Sequence, residues 1–307
     1  MAQKTVTPNG NAQLDTAQFK FGTASGLFDG TGDYLSIADD ADWNFGSGDF
    51  TIECFVRFNS VASVQVFVEQ YVSSSRSVTC YWNTDNTLHF GYSTDGTTSV
   101  DTGKSWTPST NTWYHLAWCR DGNNMRLFVD GTQVGTTIDM TGLTIFNSTD
   151  ALHIGADDAG TNAFNGWMDE LRITKGLARY TGNFTPMTYP TTYNVNDGLR
   201  LHFDGSDAST TFTDSSADTS ETSSPSASAS KSLSPSASLS PSASTSASAS
   251  RSFSSSQSAS ISPSASISAS ASFSLSPSAS TSSSVSASPS PASYVPKYTT
   301  FGSTNLD

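Results

Sequence analysis

Cleavage of a glycosidic bond needs two carboxyl groups facing one space, one giving a proton and one taking up a water or attacking the sugar. Successive side chains of a strand point to opposite faces, so such residues must alternate along it. No Glu-x-Asp-x-Glu run is present. Asp169 and Glu170 are adjacent and would point opposite ways, while Glu53 and Glu69 stand alone in the sequence. A nucleophilic triad needs Ser, His and an acid in contact. The four histidines, His89, His115, His153 and His202, each lie in an apolar, strand-like run with no nucleophile elbow nearby. His115 and His153 therefore read as core or hydrogen-bonded structural groups, and no catalysis is expected. Cys54, Cys80 and Cys119 are odd in number, widely spaced and free of any C-x-x-C pattern. That argues against a disulfide framework or a zinc site and for small buried hydrophobes.

Sugar binding asks for different residues. Exposed aromatic rings stack on pyranose C–H groups beside amide or carboxylate hydrogen bonders. Tyr81-Trp82-Asn83 and Tyr92 lie on two neighbouring candidate strands, and Trp106 lies in a polar loop. Trp82, Tyr92 and Trp106 are the candidate glycan-binding residues, whereas Trp43, Trp113 and Trp167 read as core.

The elements that must position these residues are strands. Runs such as Phe50-Thr51-Ile52-Glu53-Cys54-Phe55-Val56-Arg57-Phe58, Thr87-Leu88-His89-Phe90-Gly91-Tyr92 and Met125-Arg126-Leu127-Phe128-Val129-Asp130 alternate or stay apolar over short lengths. Gly, Asp and Asn clusters separate them, and Asp121-Gly122-Asn123-Asn124 signals a tight hairpin. No stretch of 12 residues keeps a helical period. The fold class expected is all-β, a jelly-roll sandwich.

Particular stretches carry a resemblance. Phe28-Asp29-Gly30-Thr31-Gly32-Asp33-Tyr34-Leu35-Ser36-Ile37, Gly48-Asp49-Phe50-Thr51-Ile52-Glu53 and Trp113-Tyr114-His115-Leu116-Ala117 occur in order. Leu127-Phe128-Val129-Asp130-Gly131 and Phe164-Asn165-Gly166-Trp167-Met168-Asp169-Glu170 follow. Over about 14–190 the chain resembles laminin-G-like, concanavalin A-like jelly-roll domains, of the kind found in structural and fibre proteins of tailed bacteriophages. The resemblance implies a fold that hosts lectins, adhesins, glycosidases and inert spacers alike. It also implies a calcium ion between an early loop and the closing strand. Its ligands here would be Asp29 and Asp169, with Asp33 as a third; turn formation by Asp29 and capping by Asp169 are the structural alternative.

Outside that region Ser occupies every even position from 224 to 290, 34 in a row. The odd positions vary and include six prolines. Such a composition cannot bury a core of its own. It reads as a stalk, either a flexible or polyproline-II chain open to O-glycosylation, or a fibre in which several chains join their odd-position faces. The organisation expected is a sandwich over 1–216, a Ser-rich stalk over 217–293 and a tail over 294–307. Within the sandwich, Leu199-Arg200-Leu201-His202-Phe203-Asp204-Gly205 alternates as a strand, and Phe203-Asp204-Gly205 echoes Phe28-Asp29-Gly30. In the domains this chain resembles, a similar stretch opens the fold. Residues 199–214 are expected to fill that slot, in their own domain or in a neighbour's.

The formal charge of −13 falls wholly on residues 1–214, because the three cations and three anions beyond Asp214 cancel. Such a surface repels phosphate backbones, so nucleic acid is not an expected partner. No apolar stretch is long enough to span a bilayer, and the first eight residues hold no apolar signal core. The expectation is a non-enzymatic binding module on a stalk, located in a virion or outside cells. Its partners would be surface glycan or other virion or fibre subunits, with a homo-oligomer formed through the stalk or by strand exchange. A purely structural assembly protein and a bacterial surface adhesin are the alternatives.

Overall fold

A computed structural model describes residues 2–220; the Ser-rich stalk from residue 221 onward and the tail lie outside the described residues. Sixteen strands follow one another: β1 (Thr7–Asn9), β2 (Gln13–Asp15), β3 (Ser25–Asp29), β4 (Tyr34–Ile37), β5 (Phe50–Phe58), β6 (Gln65–Val72), β7 (Ser75–Asn83), β8 (Thr87–Tyr92), β9 (Val100–Ser105), β10 (Trp113–Asp121), β11 (Asn124–Val129), β12 (Thr132–Gln133), β13 (Ile138–Asp139), β14 (Leu152–Ile154), β15 (Asn165–Lys175) and β16 (Asp197–Leu201). The only helix among the described residues is a 3-10 turn, Ala41–Trp43, capped by Asp40, whose carboxylate accepts the Asp42 N–H. No described helix is long and apolar enough to cross a membrane.

The strands form two antiparallel sheets. One runs β1-β4-β14-β6-β7-β8-β9, and the other β12-β11-β10-β5-β15-β3-β2, with β13 on β11 and β16 on β15. Alternation decides what enters the space between them. Ile52, Cys54, Val56 and Phe58 of β5 share the core with Leu116 and Trp118 of β10. From the other sheet come Val78, Cys80 and Trp82 of β7 with Leu88, Phe90 and Tyr92 of β8. All three cysteines are free and buried.

The outer face of the larger sheet is closed by the chain after β15. Ala178, Tyr180 and Phe184 cover Ala117, Cys119 and Phe128. Beneath them Glu53 is fully buried; it accepts hydrogen bonds from His115 Nε2 at 3.0 Å, Arg172 Nε at 2.8 Å and the Tyr180 hydroxyl at 2.6 Å. Burial works against its charge, but the Arg172 guanidinium and these bonds hold the carboxyl well below the usual range.

Residues 197–214 pair within the same chain. β16 runs antiparallel to β15, from Leu171↔Leu201 to Thr174↔Asp197, on the side of β15 that β3 occupies further along. A bulge between Asp169 and Arg172 separates the two partners' reach, and Glu170 there takes a φ of 51°. Its carboxylate accepts the Thr191 N–H and hydroxyl, both at 2.7 Å, and His202 Nδ1 at 2.9 Å. Further on, Thr213 bridges Thr5, Asp214 bridges Leu201, and the Asp214 carboxylate accepts the Lys4 N–H at 2.7 Å.

Candidate functional site

Of the three expected calcium ligands, Asp29 and Asp33 lie together at the turn between β3 and β4, where the Asp29 N–H donates to Asp33, but Asp169 does not join them. Asn165 of β15 stands opposite Asp29, so Asp169 lies four strand positions away, about 13 Å along the sheet. Asp169 is fully buried and accepts the Lys20 and Phe21 N–H groups on Oδ2 at 2.7 and 3.0 Å. Burial pushes its pKa up to about 8, the opposite of what a calcium ligand needs. Asp33 is also buried, accepting the Asn11 and Asp29 N–H groups at 2.7 and 2.9 Å. Asp29 is exposed and closes its own turn through the Thr31 N–H. Among the described residues no three His, Cys, Asp or Glu side chains are placed to hold a metal.

Two of the three proposed sugar-stacking rings face inward. Trp82 and Tyr92 are 2% and 4% exposed and belong to the core. Their strands explain why. Trp82 shares parity with Val78 and Cys80, and Tyr92 with Leu88 and Phe90. Trp106 is half-buried in the loop after β9, its ring 5.9 Å from Phe58 and 5.1 Å from Tyr114. It packs against the edge of the core.

The residues of opposite parity build a groove of about 530 Å³ on the outer face of the smaller sheet. The register Glu69↔Thr79↔Gly91↔Asp101 lays four of its lining residues across β6, β7, β8 and β9. Tyr81 and Asn83 continue the β7 row, and Tyr71 and Arg76 stand near the β6–β7 turn. Asp157, Asp158 and Asn162, from the loop after β14, form the facing wall. Gly91 keeps the floor open: a Cβ there would stand 2.6 Å from Thr79 Cγ2.

The aromatic side of the groove is held rigidly. Tyr81 stacks on His89 with centroids 4.4 Å apart and planes within 17°. Its hydroxyl donates to Asp101 Oδ2 at 2.6 Å, and His89 Nδ1 lies 2.9 Å from the same oxygen. Burial opposes the Asp101 charge, yet the bonds from His89 and Tyr81 hold its carboxyl below the ordinary value. Glu69, across the floor, behaves differently. It is 5% exposed, accepts the Thr79 hydroxyl on Oε2 at 2.8 Å, and burial pushes its pKa up to about 8. At neutral pH it is the uncharged acid. A rigid ring beside a carboxylate, an amide and a buried carboxylic acid is the equipment of a polar, ring-stacking ligand site.

Residues 29–178 match the model of the concanavalin A-like lectin/glucanases superfamily. Over that stretch, just under half of the chain, the sequence is similar to domains of that superfamily. Both walls of the groove, β6–β9 and the loop after β14, fall inside the matched stretch. No curated protein matches the sequence significantly. Among solved structures, the binding domain of botulinum neurotoxin serotype G is similar at 11% identity and a TM-score of 0.44, over 57% of this chain and 44% of that one. The binding domain of botulinum neurotoxin DC, solved with rat synaptotagmin II, is 18% identical with the same score and coverage. A candidate carbohydrate-binding protein from Bacteroides ovatus is 15% identical with a TM-score of 0.45, over 67% of this chain and 53% of that one. The chain thus spans about half the length of the structures it matches, and at these scores the likeness carries no argument about ligands.

A second cleft, of about 200 Å³, lies between 201–204 and 212–215. It holds Phe203 and Phe212, edge to face at 5.9 Å, and His202, which already pairs with Glu170. It offers no platform comparable to Tyr81.

Proposed function

We propose that the domain is a non-enzymatic carbohydrate-binding module whose sugar seat is the groove between Tyr81 and Glu69. One observation carries the reading: the groove sets a rigid tyrosine face beside Asp101, Asn83 and Asn162 within a lectin-like domain. Sugar rings stack on such a face while their hydroxyls bond to carboxylates and amides. A glycan array probed with the full chain tests it. Binding should be found, Tyr81→Ala should abolish it, and Trp106→Ala should leave it unchanged. Loss with Trp106→Ala but not with Tyr81→Ala would move the site elsewhere.

The setting we propose is a phage fibre or decoration protein in which the Ser-rich stretch projects the module from the virion. The Ser alternation over 224–290 and the motif wording over 14–190 support it. Calcium retains one place in this proposal, beside Asp29 and Asp33 at the turn between β3 and β4. A melting-temperature rise with calcium that Asp29→Ala removes would support it.

A second reading has one observation behind it. A neutral, buried Glu69 near a carboxylate, Asp158, is also how a hydrolase arranges its acid. Release of new reducing ends from a bound oligosaccharide, lost in Glu69→Gln, would favour that reading over pure binding.

A further inference from the structure

The groove is charged unevenly. Glu69, Asp101, Asp157 and Asp158 line it against a single cation, Arg76. That guanidinium is engaged: it donates to the Thr97 carbonyl and lies 5.5 Å from the centre of the Tyr71 ring. Asp101 is held by Tyr81 and His89. Asp157 accepts the Thr161 N–H at 2.6 Å and Asn162 Nδ2 at 3.0 Å. The exposed Asp158 carboxylate bonds to no side chain among the described residues, yet lies near enough for its charge to act on Glu69.

The surroundings of Glu69 supply no positive charge. Thr79 faces it from β7, His153 stands opposite it on β14, and Asp157 and Asp158 approach from the loop beyond. His153 is 8% exposed, its Nδ1 has no partner among the described residues, and burial lowers its pKa, so it stays neutral at pH 7. The sheet therefore presents a buried carboxylic acid and a free carboxylate to one space, with hydrogen-bond acceptors in excess and the only cation tied back. The missing partner is a compact cation with several N–H donors.

We propose that the groove selects a sugar carrying a free amine, a hexosamine, whose ammonium sits between Glu69 and Asp158, and that Glu69 releases its proton as the ligand binds. The proposal rests on the sugar-binding reading above and names the sugar class. The exchange balances in either form of the ligand: a sugar arriving as the ammonium pairs with the Glu69 carboxylate and one proton passes to the buffer, a sugar arriving as the free amine takes that proton from Glu69 itself, and no bond to carbon changes. An ammonium stabilises the charged form that burial disfavours, which lowers the pKa of Glu69 in the complex below that of the free protein. An N-acetylated sugar brings no charge to do this. A uronic acid brings a second anion to Asp158.

Calorimetric titration of the full chain at pH 6, where the sugar amine arrives mostly charged and Glu69 is still protonated, tests this with three probes: the glucosamine trimer, its N-acetylated form and a galacturonic acid trimer. Two buffers of different ionisation enthalpy report proton release. The amine trimer should bind about tenfold more tightly than the N-acetylated one, and the acid trimer should not bind detectably. Roughly half to one proton should leave per site on amine binding. Glu69→Gln, checked for folding by its melting curve, should abolish proton release, and Asp158→Asn should weaken the amine trimer by about tenfold. Equal affinity for the amine and N-acetylated trimers, binding of the acid trimer, or no proton release would overturn the inference and leave the sugar-binding reading standing. Failure of every glycan, on the array as in the titration, would end both.

Discussion

Glu69 and Asp169 lie under opposite outer faces of the sandwich, and burial pushes both pKa values up to about 8. Each group is more easily ionised in the unfolded chain. Its contribution to stability is therefore complete below the unfolded value, near pH 4, and is lost as the pH rises through about 8. An amide of the same shape never ionises and escapes that loss. Glu69→Gln and Asp169→Asn should each melt above the parent at pH 8, by about 1–3 kcal/mol of stability, with the advantage shrinking toward pH 5. Denaturant melts at the two pH values measure this, and a constant offset would refute the linkage. The same scale shows what the sequence made legible. In Val78-Thr79-Cys80-Tyr81-Trp82-Asn83 the apolar parity is that of Val78 and Cys80, which sends Trp82 inward and Tyr81 outward. The larger ring drew the expectation to Trp82, although the alternation already pointed to Tyr81. Neither the pairing of Tyr81 with Asp101 nor the exposure of Asp158 beside Glu69 could be read from the sequence, because both depend on register across strands and on a loop.

At the level of elements, the short runs with turn signals fixed most strands, since period-two alternation needs no tertiary information. The run Phe50–Phe58 is β5, and Thr87–Tyr92 is β8. Long-range placement was another matter. Glu53 stands alone in sequence, yet the fold delivers His115, Arg172 and Tyr180 to it from 62, 119 and 127 residues away. The segment from β16 to Asp214 shows how much a short stretch can carry. Leu199, Leu201, Phe203 and Phe212 are all buried, and Phe203 lies against Gly26, where a Cβ would stand 2.7 Å from its ring. Removing four such side chains forfeits on the order of 6–12 kcal/mol at about 1.5–3 kcal/mol each, comparable to the roughly 5–15 kcal/mol that holds a whole domain. It also strips the partner from Leu171–Thr174 of β15, leaving an unpaired edge there. Deletion of 199–214 should therefore abolish cooperative unfolding, and Leu201→Ala alone should cost about 2–5 kcal/mol. A deletion variant that melts like the parent would show that β16 is dispensable.

For the whole molecule, the opposed titrations set where stability peaks. From the alkaline side, Glu69 and Asp169 contribute less as the pH rises from about 4 to 8. From the acid side, Glu53 has a lowered pKa, so its ion-pair network holds above the unfolded value near 4.5 and fails as the pH falls. His153, its pKa lowered by burial, also loses ground below about 6.5, where the unfolded chain takes up a proton and the folded one resists. The surplus of thirteen negative charges adds self-repulsion that grows with pH as the acids ionise and weakens with salt. All four effects place the maximum melting temperature of the full chain between about pH 5 and 6, on the acid side of neutrality. A fall of several degrees is expected by pH 8, part of it restored by raising the salt from about 10 to 150 mM. Glu69→Gln combined with Asp169→Asn should flatten the alkaline limb and leave the acid limb in place. A calorimetric series from pH 4 to 9 decides it: a maximum at or above pH 7.5, or an alkaline limb untouched by the double replacement, would mean that these two buried acids do not govern the stability of the fold.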